Sequence, residues 1–106
     1  MPIPQSKTVS IKNLNPQGSH VSNSSLNVVV TLTLPDVFYE WTGVLVQAID
    51  ENIRYTIDGT DPTSSSGFQL QVDQPPILLP IGEDTVLKFI EEVASATLEY
   101  QFVTGV

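Results

Sequence analysis

The stretch Ile53-Arg-Tyr-Thr-Ile-Asp-Gly-Thr-Asp-Pro-Thr-Ser-Ser-Ser-Gly-Phe-Gln-Leu70 decides the fold class of this 106-residue chain. Ile53, Tyr55 and Ile57 alternate with Arg54, Thr56 and Asp58, which is the period of a half-buried strand. Asp58-Gly59 then supplies a tight turn, because Gly takes positive φ without a Cβ penalty and Asp bonds its own backbone. A polar Ser/Thr loop follows. Beyond it Phe68, Leu70 and Val72 alternate with Gln69 and Gln71 in a second strand. Nothing in the stretch forms a set of nucleophile, base or metal ligands, so the reading leans to a small β-domain that works by binding.

Working outward, Thr42–Ile49 reads as a more fully buried strand. Leu26–Leu34 reads as the clearest one, with Leu26, Val28, Val30, Leu32 and Leu34 on one face and Asn27, Thr31 and Thr33 on the other. Pro35-Asp36 ends it. Val9 and Ile11 alternate with Ser10 and Lys12 in a short strand, while residues 1–7, with Pro2 and Pro4, read as an extended arm. Asn13–Ser25 is a loop by composition. Ile77-Leu-Leu79, bracketed by prolines, suits a sheet edge. The C-terminal part is ambiguous: Val86, Phe89, Ile90 and Val93 fall at helical spacing, yet Val86–Ile90 also suits a strand. Leu98, Tyr100 and Phe102 alternate against Glu99 and Gln101. A hairpin turning near Ala94-Ser95-Ala96 agrees better with the other segments. The expected fold is all-β: a single antiparallel β-sandwich or jelly-roll-like barrel of about seven to nine strands, residues 8–106, with the arm at 1–7.

The composition narrows the function classes. The hydrophobic fraction of 41% supports one thin core, which oligomerisation often reinforces. With 0 Cys there is neither a disulfide framework nor a thiolate metal site. Neither a signal peptide nor a membrane span is expected, since the longest apolar run, Pro75–Ile81, is far below the ~20 residues a bilayer needs. A net charge of −8 argues against nucleic acid, which requires clustered Lys and Arg. That charge is lopsided. All 12 acids lie at or after Asp36, with only Arg54 and Lys88 among them, whereas the first 35 residues hold Lys7, Lys12 and no acid. Such asymmetry marks either an arm that docks on an acidic neighbour or a polar segment whose composition is accidental.

Candidate chemistry is sparse. The single His20 sits in a polar loop with no acid within fifteen residues along the chain, so it reads as a solvated histidine and not as part of a triad. Asp58-Gly-Thr-Asp61 fails the alternating ligand spacing of a calcium loop and is better explained by turn formation. No catalytic residue, metal ligand or cofactor is therefore assigned. Val37-Phe-Tyr-Glu-Trp41 is the densest aromatic cluster and has three readings: a cap on the core, a subunit interface, or a platform for sugar rings. The candidate protein-interface residues are Lys7 and Lys12 on the arm, Phe38, Tyr39 and Trp41 in the cluster, and Ile77 and Leu79 on the edge strand.

Two resemblances rest on these residues. Ile53-Arg-Tyr, Asp58-Gly-Thr-Asp-Pro-Thr63, Gly67-Phe-Gln-Leu70, Leu87-Lys-Phe-Ile-Glu91, Ala94-Ser-Ala96 and Leu98-Glu-Tyr-Gln-Phe102 follow one another in an order that resembles small virion proteins of tailed bacteriophages. This match covers residues 50–103. Tyr55-Thr-Ile-Asp-Gly-Thr-Asp-Pro-Thr63 and Thr85-Val-Leu-Lys88 also resemble the C-terminal β-sandwich domain of chitobiase-like enzymes. The first resemblance, which is the longer, implies a non-catalytic virion protein, a capsid decoration or cement protein made in the host cytoplasm and bound at the capsid surface. Its partners would be the major capsid protein, other virion proteins and further copies of itself. The alternatives are a neck, tail or fibre component, or a carbohydrate-binding accessory module that would take a glycan on Phe38, Tyr39 or Trp41.

Overall fold

The computed structural model describes residues 14–39 and 41–105, and the expected arm, the Val9–Lys12 strand, Lys7 and Lys12 lie outside them. The described residues form nine strands and no helix: β1 Leu14–Pro16, β2 Val21–Asn23, β3 Val30–Thr31, β4 Thr42–Ile49, β5 Ile53–Thr56, β6 Phe68–Leu70, β7 Ile77–Pro80, β8 Lys88–Glu91 and β9 Thr97–Gly105. They make two antiparallel sheets. One has the order β1-β9-β4-β7, with β2 also on β9, and the other has the order β3-β8-β5-β6. The expected sandwich is the fold observed.

Period-two alternation builds the core where two sheets face each other. Val44, Val46 and Ala48 of β4 stand opposite Phe102, Tyr100 and Leu98 of β9, and they meet Ile53, Tyr55, Leu70, Leu87 and Phe89 of the other sheet in one apolar cluster. On that second sheet an aromatic row runs across three strands. The Tyr55 ring lies 5.6 Å from Phe89 and 5.6 Å from Phe68. Along the row burial falls off: Phe89 is fully buried, Tyr55 is nearly so, and Phe68 is 61% exposed.

Three expectations are corrected. Leu26–Leu34 is not one continuous strand. The Glu91 N–H bonds the Leu26 carbonyl while Val30 faces Phe89, so four steps on one side span two on the other. Two residues bulge out, and Val28, expected inside, is 61% exposed. Asn13–Ser25, expected as a loop, contributes β1 and β2, two short runs along the free edge of β9. Their pairing follows from that available edge and not from any alternation of their own. Finally, residues 88–91 and 97–105 are strands, but they do not form a hairpin. β8 pairs with β3 and β5, β9 pairs with β1, β2 and β4, and the connection at Ala94–Ala96 crosses between the sheets. The crossing lets Phe89 and Leu98 face each other across the core, whereas a hairpin would place them side by side in one sheet.

The two ends of the sandwich differ. At one end, here the entry end, Leu14 pairs with Gly105, β4 begins opposite Thr104, and β5 finishes opposite Lys88. The far end carries the β4–β5 and β8–β9 connections.

Candidate interaction surfaces

The motif that decided the fold forms the rim of a hollow at the entry end. The Asp58 carboxylate accepts the Thr60 N–H at 3.0 Å, the Thr56 hydroxyl donates to the Thr60 carbonyl, and Gly59 turns the chain at φ 88°. The Thr60 N–H also holds the Asp58 carboxyl below its ordinary value. Asp58 is thus the turn former expected from its spacing, while Asp61 instead pairs with Lys88 Nζ at 2.8 Å. Thr56, Ile57, Asp58, Thr60, Gly67 and Phe68 line a hollow of about 460 Å³. Ile57, read from its alternation as part of the strand, lies beyond its end and is 48% exposed.

Arg54 fastens this motif from the other side. Its Nε donates to Glu92 Oε2 at 2.6 Å and its guanidinium also reaches the Gly67 carbonyl at 3.1 Å. Gln69 Nε2 donates to the same Glu92 oxygen at 2.8 Å. Gln69 first, then Arg54, holds the Glu92 carboxyl below its ordinary value. A carboxylate depressed in the folded state contributes stability that is present above its unfolded pKa and lost as pH falls through the folded one. Acidification from about pH 5 to pH 3 should therefore lower the urea midpoint of the native chain. Glu92→Gln should flatten that decline, whereas an unchanged slope in the variant would show that Glu92 does not carry it.

The aromatic cluster divides into two places. Tyr39, 58% exposed, lines a second hollow of about 330 Å³ with Asn15, Pro16, Gln17, Thr104 and Gly105, also at the entry end. Trp41 lies half-buried on the outer face of the first sheet. A Cβ on Gly43 would come within 2.9 Å of Trp41 Cη2 and 3.3 Å of Leu78 Cδ1, so this glycine brings the indole down beside the edge strand. Phe38 is half-buried. On the edge strand Ile77 is 38% exposed, while Leu79 turns inward and packs against the core.

β7 is the edge the prolines implied, and its hydrogen-bond register shows how they act. The Ile81 N–H bonds the Thr42 carbonyl, which places Leu79 and Ile77 in the bonded register with Val44 and Val46. Pro76, Leu78 and Pro80 therefore turn their backbones to the open side. Since proline has no N–H, that side offers the single donor of Leu78 between two blocked positions. Strand addition through β7 is disfavoured.

His20 is not isolated, as its sequence neighbourhood implied. Its Nε2 lies 2.6 Å from Glu99 Oε1, an acid 79 residues away that β2–β9 pairing brings alongside. The Ser22 hydroxyl, then His20, holds the Glu99 carboxyl below its ordinary value. No serine or threonine hydroxyl lies within hydrogen-bond distance of the His20 ring among the described residues, so the pair does not extend to a triad. Among the same residues no group of three or more His, Asp or Glu side chains is placed to hold a metal ion.

Fold and surfaces define a class of protein: a β-sandwich module whose distinctive features are surface hollows and exposed apolar side chains. The family model described as the chitobiase/beta-hexosaminidase C-terminal domain matches residues 5–101, and the chain belongs to that family. The match extends across the first half of the chain, where the sequence motifs carried no resemblance. No curated protein and no solved structure gives a match.

Proposed function

We propose that this domain works by binding and not by catalysis, as a structural subunit that packs against other proteins of an assembly. One observation carries the reading. Leu14, Val37, Tyr39, Ile57, Phe68 and Val86 are 46%, 55%, 58%, 48%, 61% and 38% exposed; Leu14 and Phe68 lie on strands at the entry end, and the other four lie in the connections there. Scattered exposed apolar residues need no explanation, but a gathered set at one end supports a protein contact. The assembly we propose is the virion of a tailed bacteriophage, with this chain as a capsid decoration protein; the motif order over residues 50–103 supports that choice. Such a protein acts by mass action, stabilising the shell because it binds the assembled state. Quantitative mass spectrometry of particles purified from the source of this gene tests it. Copy numbers matching the capsomers are expected. About six or twelve copies, as in cyclic rings, would move the protein to the neck or tail, and its absence from the particles would overturn the virion reading.

A further inference from the structure

We infer that copies of this chain exchange their N-terminal segments, residues 8–12 of one copy packing into the hollow between Ile57, Asp58 and Phe68 of the next. The hollow is an unfinished piece of core. Phe68 is in register with Tyr55, itself in register with Phe89, so its side chain stands on the core face of its sheet. Yet it is 61% exposed, because the row of rings runs out at the sandwich edge. An apolar side chain laid against Phe68 and Ile57 would complete the row and remove that surface from water.

The segment Thr8-Val-Ser-Ile-Lys12 has the matching chemistry. Its alternation offers Val9 and Ile11 to an apolar surface, and Lys12 with nearby Lys7 supplies positive charge. The hollow supplies the opposite charge through the Asp58 carboxylate on its rim, with Glu83 and Asp84 exposed in the β7–β8 connection at the same end. The described cations, Arg54 and Lys88, are already paired with Glu92 and Asp61. Charge complementarity therefore favours a partner segment that brings its own lysines and no acid, as the first 35 residues do.

Reach decides that the segment comes from a second copy. Leu14 is tied to Gly105 on β1, at the opposite edge of the sandwich from β6. Crossing three strand spacings of ~4.8 Å and the ~10 Å between sheets requires roughly 17 Å. Val9, five residues from Leu14, could reach about that far, but Ile11, three residues away, can travel only ~10 Å, so the two cannot both enter the hollow of their own chain. A strand over residues 8–12 thus cannot lie in its own hollow. The contact is heterologous, arm to hollow, and builds a closed ring or an open chain according to the rotation between copies. It concerns the purified protein and holds whether or not a particle is its destination.

Sedimentation velocity with three proteins tests the inference: the full chain, a variant lacking residues 2–12, and Phe68→Glu, with Ile57→Glu replacing the last if Phe68→Glu loses its native circular dichroism. The full chain should self-associate by ~100 μM, the range of small interfaces. Each variant should be a folded monomer at that concentration. Mixed in equal amounts they should form a one-to-one dimer, because the truncated protein keeps its hollow and the Phe68→Glu protein keeps its arm. A monomeric full chain at that concentration, self-association of the truncated protein, or a mixture that stays monomeric would each overturn the exchange.

Discussion

Phe89→Ala should destabilise the domain by about 3–5 kcal/mol, the largest single-residue effect expected in this chain. Phe89 is fully buried, sits at the centre of β8, and stacks on Tyr55 at 5.6 Å. Truncation removes both the transfer energy of the ring and its contacts with neighbours held by two sheets, which cannot collapse into the space. A domain of this size has only about 5–15 kcal/mol in total, so the variant should approach the limit of folding at 37 °C. Urea unfolding followed by tryptophan fluorescence reports it through Trp41. A loss below about 1 kcal/mol would mean that the row Phe68–Tyr55–Phe89 is not the mechanical centre of the second sheet.

Gly67→Ala should cost about 2–4 kcal/mol for a different reason, since almost no burial is lost. Gly67 has φ 119°, a conformation essentially closed to residues with a Cβ. A Cβ there would also lie 3.0 Å from the Tyr55 carbonyl oxygen and 3.3 Å from Pro62 Cβ, and Pro62 is fully buried. Relief by rotating the backbone would break the bond from the Arg54 guanidinium to the Gly67 carbonyl. The substitution thus sets strain against the network that closes the hairpin. Thermal unfolding should show a fall of more than about 8 °C. Ser65→Ala, two residues away on the exposed tip of the loop, should change stability by less than about 0.5 kcal/mol and serves as the control. Equal effects at the two positions would remove the argument from backbone conformation.

Gly67 shows why the Arg54–Leu70 stretch reads so clearly. Asp58 and Gly59 act within their own turn, and Gly67 sits against Tyr55 and Pro62 of the same hairpin; such local contacts leave local signatures, an Asp-Gly pair and a glycine before a strand. The same holds for β4 and the later part of β9, whose period-two patterns over Val44–Ala48 and Leu98–Phe102 match the observed inward faces. Where the reading failed, the deciding partner was distant. The bulge at Asn27–Val29 exists because β8 offers fewer residues than the alternation of Leu26–Leu34 demands. His20 looked solitary because Glu99 lies on a strand at the other end of the chain. Phe68 lies on the apolar face that its alternation implies, but its exposure follows from β6 being the last strand of its sheet.

By itself, then, the sequence determined the all-β class, the position of most strands, the Asp58-Gly59 turn and the proline-blocked edge, because each depends on side-chain alternation or on the backbone limits of Gly, Asp and Pro. Only the tertiary structure decided which strands share a sheet, that the final two strands part company across the core, and that six exposed apolar side chains gather at one end. Those outcomes depend on pairings between residues up to 91 positions apart, as in Leu14 with Gly105. Such pairings are selected by how two sheets cover each other, and no short window of sequence contains that information.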